Sequence, residues 1–401
     1  MRENVKLEVF PTKKYNAISI EICLSLNTQK YGDEYRNVAA KLLIDKSLQD
    51  TVILNTYNIR LTSGVRVEGD TKRIIVHFQF INPKLYLEKE YSIKNIINEV
   101  LYLIFEQDIS YEMFCRNKEC IMKENLEMYN NKEKYMYLNI IEKSLRDETG
   151  GSIVLAEKPE NYQSIMWKHM RNFINEIREK SDIEVYCIGD VSQYEIESIF
   201  NNKFNEYHFI KKKTEIKKKE IIKFNKGAES EMQNISQSKL AKSYKIPIEI
   251  LDENFFACKL FSIILGGGTS SKLFKKVRIR EGLAYHISAA LSDNYGLVCI
   301  CAGTENCYLK RVEFLIDETI IEMKNGLISD EEVQTAKLLY IQQLMKDFDK
   351  PFKTFKILRK FKIGINNFDM IQKKIMDIRK EDVLMVSNNI EKVFTFILKA
   401  R

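Results

Sequence analysis

Residues 265–285 read LGGGTSSKLFKKVRIREGLAY, and this stretch decides the fold of the chain. The three glycines near its start are typical of a helix that ends, because glycine readily adopts the backbone conformation of a helix C-terminus. Thr269 or Ser270 can cap the next helix by accepting a hydrogen bond from a free backbone N–H. Gly282 is suited to end that second helix, and a strand containing Tyr285 follows. The stretch therefore predicts a helix, a tight loop, a second helix and a strand in succession.

The same stretch brings glycine, serine and lysine together, so a phosphate-binding loop must be considered. That loop requires the order Gly-Lys-Ser or Gly-Lys-Thr, since its lysine and hydroxyl reach the phosphates and metal that the backbone cradles. Here Lys272 follows Ser271 and precedes Leu273. The spacing excludes a nucleotide site of this kind.

Outward from this stretch, the second half of the chain repeats the element order of the first half. Each half contains an apolar strand, a helix, a β-hairpin, further long helices and a closing strand. The hairpins are predicted at 60–80 and 286–302, and Ile-Ser pairs at 109–110 and 328–329 open equivalent helices. A shared order of this length indicates an internal duplication. The predicted fold class is α+β, with two homologous domains, each a mainly antiparallel sheet with helices packed on one face.

A lysine-rich tract separates the two halves. Residues 211–219 contain six lysines and one glutamate, and the stretch as far as 233 is polar. We interpret 211–233 as a solvated linker, which predicts a first domain at 1–210 and a second at 234–401. Binding of nucleic acid by the tract is the alternative, and it is disfavoured because no aromatic or arginine residue is interleaved to stack on bases.

Composition limits the class of protein. The 401 residues are 45% hydrophobic and 30% charged with a net charge of +7, which excludes a disordered or fibrous chain. The longest apolar stretch is too short for a membrane span, and the amino end has no apolar core of a secretory signal. The eight cysteines form no Cys-x-x-Cys pair. We therefore expect a cytoplasmic protein without membrane insertion.

The stretch 265–285 resembles the second domain of the pitrilysin/insulinase family of zinc metallopeptidases, of the mitochondrial-processing-peptidase type. Members of that family read close to LGGGxSSRLFxxVRxxxGLAY, and only conservative changes interrupt the string here. The family motif loop then corresponds to five residues of this chain, which are Gly266, Gly267, Gly268, Ser270 and Ser271. The resemblance covers essentially the whole chain, and it is weaker in the first half.

The resemblance also implies a pair of substrate-binding residues. In the family an arginine and a tyrosine seven residues apart reach the substrate backbone beside the zinc, and Arg278 and Tyr285 stand at the matching positions. A guanidinium and a phenol can hold a peptide carbonyl and stabilise the oxyanion that forms when water attacks. The alternative is a helix-surface arginine and a core tyrosine, because Tyr285 shares its strand face with Leu283 and Ile287.

The first half departs from the family. Active members carry His-x-x-Glu-His on their first helix, where two imidazoles bind zinc and the glutamate activates water. The equivalent residues 37–45 read NVAAKLLID and contain no histidine. Glu124 or Glu127 lies near the place of the third ligand, but one carboxylate without imidazoles does not make a zinc site. We expect no metal and no catalytic residue in this chain.

The four histidines offer no substitute for the missing motif. None lies within five residues of another, and each is interpreted as a structural or surface residue. They are His77, His169, His208 and His286.

These features together resemble the non-catalytic subunit of a bacterial two-chain peptidase. The expected partner is a zinc-bearing sister chain of the same family, and the expected ligand is a peptide substrate held by strand addition at a sheet edge. Each chain would form half of a clamshell, and this chain alone would be inactive. The alternatives are a catalytically inactive scaffold of the same fold and a stand-alone peptide-binding protein. Nucleic-acid binding through 211–219 is the weakest of the alternatives.

Overall fold

The structure is a computed structural model. It describes residues 4–28, 30–45, 59–68, 71–85, 92–145, 159–207, 209, 223–361 and 364–401. These residues form two compact units, each assembled from three stretches of chain. The first unit comprises Met1–Leu126, Glu157–Glu220 and Lys346–Asn367; the second comprises Glu127–Ala156, Ile221–Met345 and Phe368–Arg401.

The first unit is built on a five-stranded sheet. Its strands are β1 (Val5–Pro11), β2 (Ala17–Ser25), β3 (Arg60–Glu68), β4 (Thr71–Ile81) and β5 (Asp182–Gly189). Their order in the sheet is β1-β5-β2-β4-β3, and all neighbours are antiparallel except the parallel pair β1 and β5. Strand β2 lies at the centre because its sequence AISIEICLS is apolar on one face and small or paired on the other.

The second unit repeats this sheet. Its strands are β6 (Gly227–Gln233), β7 (Ser238–Lys245), β8 (His286–Ser292), β9 (Leu297–Thr304) and β10 (Glu391–Ala400). Their order is β6-β10-β7-β9-β8, again with one parallel pair, β6 and β10, at one edge. The two sheets have the same order and the same strand directions. The predicted α+β class with two similar halves is confirmed.

Fifteen helices occur in the described part of the chain, besides three single 3₁₀ turns. The first seven are α1 (Asp33–Leu42), α2 (Ile93–Phe105), α3 (Tyr111–Asn130), α4 (Lys132–Ser144), α5 (Pro159–Gln163), α6 (Trp167–Lys180) and α7 (Gln193–Glu206). The other eight are α8 (Ile248–Glu253), α9 (Phe255–Gly266), α10 (Phe274–Arg280, a π-helix), α11 (Leu309–Lys324), α12 (Asp330–Phe348), α13 (Pro351–Phe361), α14 (Phe368–Met376) and α15 (Lys380–Asn389). No helix among the described residues combines the length and apolar character needed to cross a bilayer.

Each sheet also carries one helix on the face opposite its main helical layer, which the sequence analysis did not predict. Helix α13 packs on β2 and β5 of the first sheet, and α4 packs on β7, β9 and β10 of the second. The side chains of Met136, Ile140 and Ile141 on α4 join a buried cluster with Phe396. Covering the second face removes further apolar strand surface from water, which stabilises the sheet.

Strands β1 and β6 are the two strands that the sequence analysis missed. Residues 227–233 fall within the predicted linker, yet they form β6 as the polar edge strand GAESEMQ. The lysine-rich tract 211–219 lies entirely outside the described residues. The domain bounds 1–210 and 234–401 stay a prediction.

Candidate functional site

The motif loop connects α9 to α10 and approaches β8 closely. A Cβ atom added at Gly266 would lie 2.5 Å from the backbone nitrogen of Ala289, so only glycine allows this contact between helix and strand. In the loop itself, Ser271 Oγ donates a hydrogen bond to the carbonyl oxygen of Gly268 at 2.6 Å. Neither Thr269 nor Ser270 caps the following helix as expected. Ser271 instead makes the side-chain hydrogen bond of this turn.

Helix α10 holds Arg278 at the surface. Val277 is fully buried and anchors the helix, and Lys276 pairs with Glu318 and Glu322 of α11 at 2.7 and 2.8 Å. The guanidinium carbon of Arg278 lies 5.0 Å from the ring centroid of Phe274, a stacking contact on the same helix. Arg278 is exposed and makes no ion pair with any described residue. Its charge is thus free to bind a ligand.

Tyr285 directly precedes β8 and is 54% exposed, so the alternative of a core tyrosine is wrong. Its backbone nitrogen donates to the carbonyl oxygen of Gly303 at 3.0 Å, and its hydroxyl donates to Glu305 Oε1 at 3.1 Å. The hydrogen bond to Glu305, together with the negative charge of that carboxylate, raises the pKa of Tyr285 above its ordinary value. The phenol therefore stays protonated at neutral pH and remains a hydrogen-bond donor.

A short reversal connects the arginine to the tyrosine. Gly282 adopts φ 68°, as expected of a residue that ends a helix in the left-handed conformation. The backbone nitrogen of Leu283 then donates to the carbonyl oxygen of Val277 at 3.0 Å, and Thr304 Oγ1 donates to the carbonyl oxygen of Leu283. These bonds fix the segment between Arg278 and Tyr285, and they leave both side chains in solvent.

Glu305 is a polar residue of this site that the sequence analysis missed. It follows the last residue of β9, and its carboxylate accepts the hydrogen bond of Tyr285. A single glutamate after a strand forms no recognisable pattern, so only the pairing of β8 with β9 brings it to the site.

The helix that carries zinc ligands in the family is unsuited to metal in this chain. Helix α1 places the ammonium of Lys41 2.9 Å from Glu124 Oε1, so a cation already pairs with the carboxylate expected at the third-ligand position. Nearby, Asp45 is buried and receives Arg116 Nη2 at 2.5 Å and the amide of Asn117. Glu127 is exposed on α3. These residues do not fit a zinc ion, which would be repelled by the ammonium and would lack imidazole ligands.

The described residues contain no metal-binding cluster. No three of their histidine, cysteine, aspartate or glutamate side chains are arranged to hold an ion. His77 is buried rather than on an open polar face, with Nε2 2.7 Å from Ser19 Oγ and its ring 4.4 Å from that of Phe352. Burial lowers the pKa of His77 to about 4. His169 and His286 are exposed, and His208 lies outside the described residues.

Comparison with known proteins agrees with this geometry. Residues 165–340 match the family described as the peptidase M16 inactive domain. The chain is 21% identical over 360 residues to the probable inactive metalloprotease YmfF of Bacillus subtilis strain 168, which covers 86% of this chain and 82% of that protein. It is 22% identical over 245 residues to YmxG of the same strain, an uncharacterised zinc protease, which covers 61% of this chain and 59% of that one.

The fold is shared with a solved structure over nearly the whole length. A conserved protein from Enterococcus faecalis V583 superimposes with a TM-score of 0.87 at 18% identity, covering 99% of this chain and 97% of that chain. At this identity the likeness shows the fold alone. The match of residues 165–340 to the M16 inactive domain and the similarity to a probable inactive metalloprotease over most of the chain support a catalytically inactive metallopeptidase homologue.

Proposed function

We propose that this chain is the non-catalytic, substrate-binding subunit of a heterodimeric zinc-dependent peptidase. Its partner is a zinc-bearing M16 chain, and its ligand is a peptide that the pair cleaves. The catalytic zinc belongs to the partner, and this chain alone is inactive. The free cysteines, eight in number, support a cytoplasmic location for the pair.

One observation carries the proposal: Arg278 and Tyr285 are both exposed on one fixed segment, and neither side chain is buried in the core. The guanidinium has no acidic partner among the described residues, and the phenol is held protonated beside Glu305. An exposed guanidinium next to a sheet edge is suited to a peptide carbonyl group, and the phenol can bind that carbonyl by exchanging its hydrogen bond to Glu305 for one to the peptide.

The role of this chain in the reaction follows from those donors. A peptide carbonyl oxygen gains negative charge as water attacks the carbon, and donors that already point at that oxygen stabilise the transition state. Arg278 supplies such a donor, and Tyr285 supplies a second when its O–H turns from Glu305 to the carbonyl oxygen. Hydrolysis itself also requires an activated water, which the partner supplies, because residues 37–45 at the family's zinc position hold Lys41 and no histidine.

The need for a partner is supported by the relatives. One organism, B. subtilis strain 168, has both a probable inactive metalloprotease and a zinc protease similar to this chain. An inactive and a zinc-bearing relative of this chain thus coexist in one organism, as a two-chain enzyme requires. The alternative function is that of an inactive scaffold or of a peptide-binding protein with the same fold. Of these two, the edge strand β8 favours the peptide-binding protein.

Substitution of Arg278 tests the proposal within the complex. We expect Arg278→Ala to lower kcat/KM for peptide hydrolysis by the co-purified pair about 10²-fold, the loss typical of one oxyanion donor. Arg280→Ala is the matched control, since Arg280 is exposed two residues further along the same helix. Assembly of the pair, measured on a sizing column, should be unchanged in both variants. Equal turnover in the two variants would remove Arg278 from the site.

A further inference from the structure

A groove opens beside the candidate site, on the face of the second sheet that α4 covers. Its volume is about 500 Å³, within the range of pockets that hold small ligands. The helical wall includes Met128, Met136 and Tyr137, and the sheet floor includes Cys301 and Gly303. All of these residues belong to the second unit.

Edge strand β8 borders the groove. In the described part of the chain β8 pairs only with β9, so alternate backbone N–H and C=O groups face outward and are available to an added strand. His286 and Ser288 line the groove, whereas Ala289 faces Gly266 of α9 on the opposite side. Because side chains alternate along a strand, every second side chain of an added peptide lies on the groove side.

The lining favours an apolar occupant. Methionine side chains adapt to irregular apolar shapes, and Met128 and Met136 contribute two thioethers to one wall. Cys301 on the floor is uncharged, since burial raises the pKa of its thiol to about 12. Charged groups of both signs, Glu133 against Lys134 and Lys239, also line the groove, so its polar part accommodates the peptide backbone rather than a single charge.

The absence of a side chain at Gly303 keeps the floor open. A Cβ atom there would make only ordinary contacts, at 3.6 Å from Lys239 Nζ and 3.7 Å from Gln237 Oε1. Nothing in the fold therefore requires glycine at this strand position, in contrast to Gly266. Gly303 also accepts the backbone hydrogen bond of Tyr285, so the open floor lies beside that residue. A peptide added to β8 therefore passes both the groove and Tyr285.

We propose that this groove receives one large apolar side chain, of the size of leucine, methionine or phenylalanine, from an extended peptide added to β8. The inference rests on the proposed peptide-binding function and specifies its substrate class. The groove is thereby a specificity pocket that is separate from Arg278 and Tyr285, which contact the peptide backbone.

Binding of two labelled ten-residue peptides, identical except for a central phenylalanine or alanine, tests the groove by fluorescence anisotropy with the full chain. We expect the phenylalanine peptide to bind about tenfold tighter, because it buries more apolar surface. Gly303→Val fills the floor and should reduce that preference to less than about threefold. Gly64→Val is the matched control: Gly64 also lies in a strand, and a Cβ there has no neighbour within 4 Å.

The outcomes separate the two proposals. Ser288→Phe fills the groove from β8 and serves as the second variant if Gly303→Val does not fold, as judged by circular dichroism. Equal binding of the two peptides by the native chain, or an undiminished preference in the filled variants, would overturn the groove assignment and leave peptide binding intact. Failure of every peptide to bind at millimolar concentration would overturn the peptide-binding function and the groove together.

Discussion

A buried carboxylate, Glu21, shows how single residues hold the first unit together. Its side chain is fully buried at the centre of the first sheet and receives both terminal nitrogens of Arg66 at 2.8 Å. Arg359 from α13 adds a third contact at 3.1 Å. A buried charge is tolerated only with such pairing, since its transfer from water is costly. Glu21 thus attaches a helix late in the sequence to a strand near its beginning.

Replacement of Glu21 should therefore destabilise the chain strongly. We expect Glu21→Gln to reduce the free energy of unfolding by about 3–5 kcal/mol, because two partly buried guanidinium groups lose their counter-charge. Urea denaturation monitored by circular dichroism measures the change. Glu124→Gln is the control: the Lys41–Glu124 pair is largely solvent-exposed, and its loss should cost less than about 1 kcal/mol. Similar losses in the two variants would contradict this account of Glu21.

The contact of α9 with β8 is the decisive feature at the scale of elements. Gly266 brings helix and strand together, and the motif loop that follows places α10 and its arginine beside the start of β8. The glycine is required by close approach rather than by backbone freedom, since its φ angle is not among the positive ones. The site geometry depends on this packing contact together with the ion pairs of Lys276 to α11 and the hydrogen bond of Leu283 to Val277.

Gly266→Ala should separate α9 from β8. The added methyl group would lie 2.5 Å from a backbone nitrogen, which cannot move without disturbing the sheet, so we expect a loss of about 1–3 kcal/mol. Gly64→Ala in β3 has open space and should change stability by less than about 1 kcal/mol. Thermal unfolding of the two variants in parallel is the measurement. A wild-type melting temperature for Gly266→Ala would show that the loop does not depend on this contact.

Prediction from the sequence succeeded where a pattern is local and failed where it is not. The hairpins and the helix ends at Gly266 and Gly282 are encoded by short runs with a clear period or a required glycine. Strands β1 and β6 were missed because they are edge strands whose parallel partners, β5 and β10, lie more than 150 residues away in sequence. The positions of α4 and α13 were missed because the strands on which they pack are also distant in sequence.

The site was predictable to a similar degree. Arg278 and Tyr285 were found through a string that resembles a family, and their exposure agrees with the proposed role. Glu305 and the groove beside β8 could not be found, because they depend on which strand lies next to which. Burial of His77 was likewise hidden, since α13 covers a strand face that reads as polar.

The whole chain is a duplication in which the two halves have diverged in different ways. Both sheets keep the order of five strands with one parallel edge pair. The first half has ion pairs where the family has its zinc ligands, and the second half keeps the segment with the arginine and tyrosine. A chain that keeps the substrate-binding segment but has no zinc ligands is useful if a second chain supplies the metal centre. We therefore expect peptide hydrolysis to depend on that second chain.

Peptide hydrolysis by this chain alone, by a zinc-bearing M16 chain from the same organism alone, and by the two co-expressed tests the claim most directly. We predict activity only for the pair, its loss on treatment with a zinc chelator, and its recovery when zinc is restored. Full activity of the zinc-bearing chain alone, unchanged by addition of this one, or failure of the two to form a complex on a sizing column would contradict the claim.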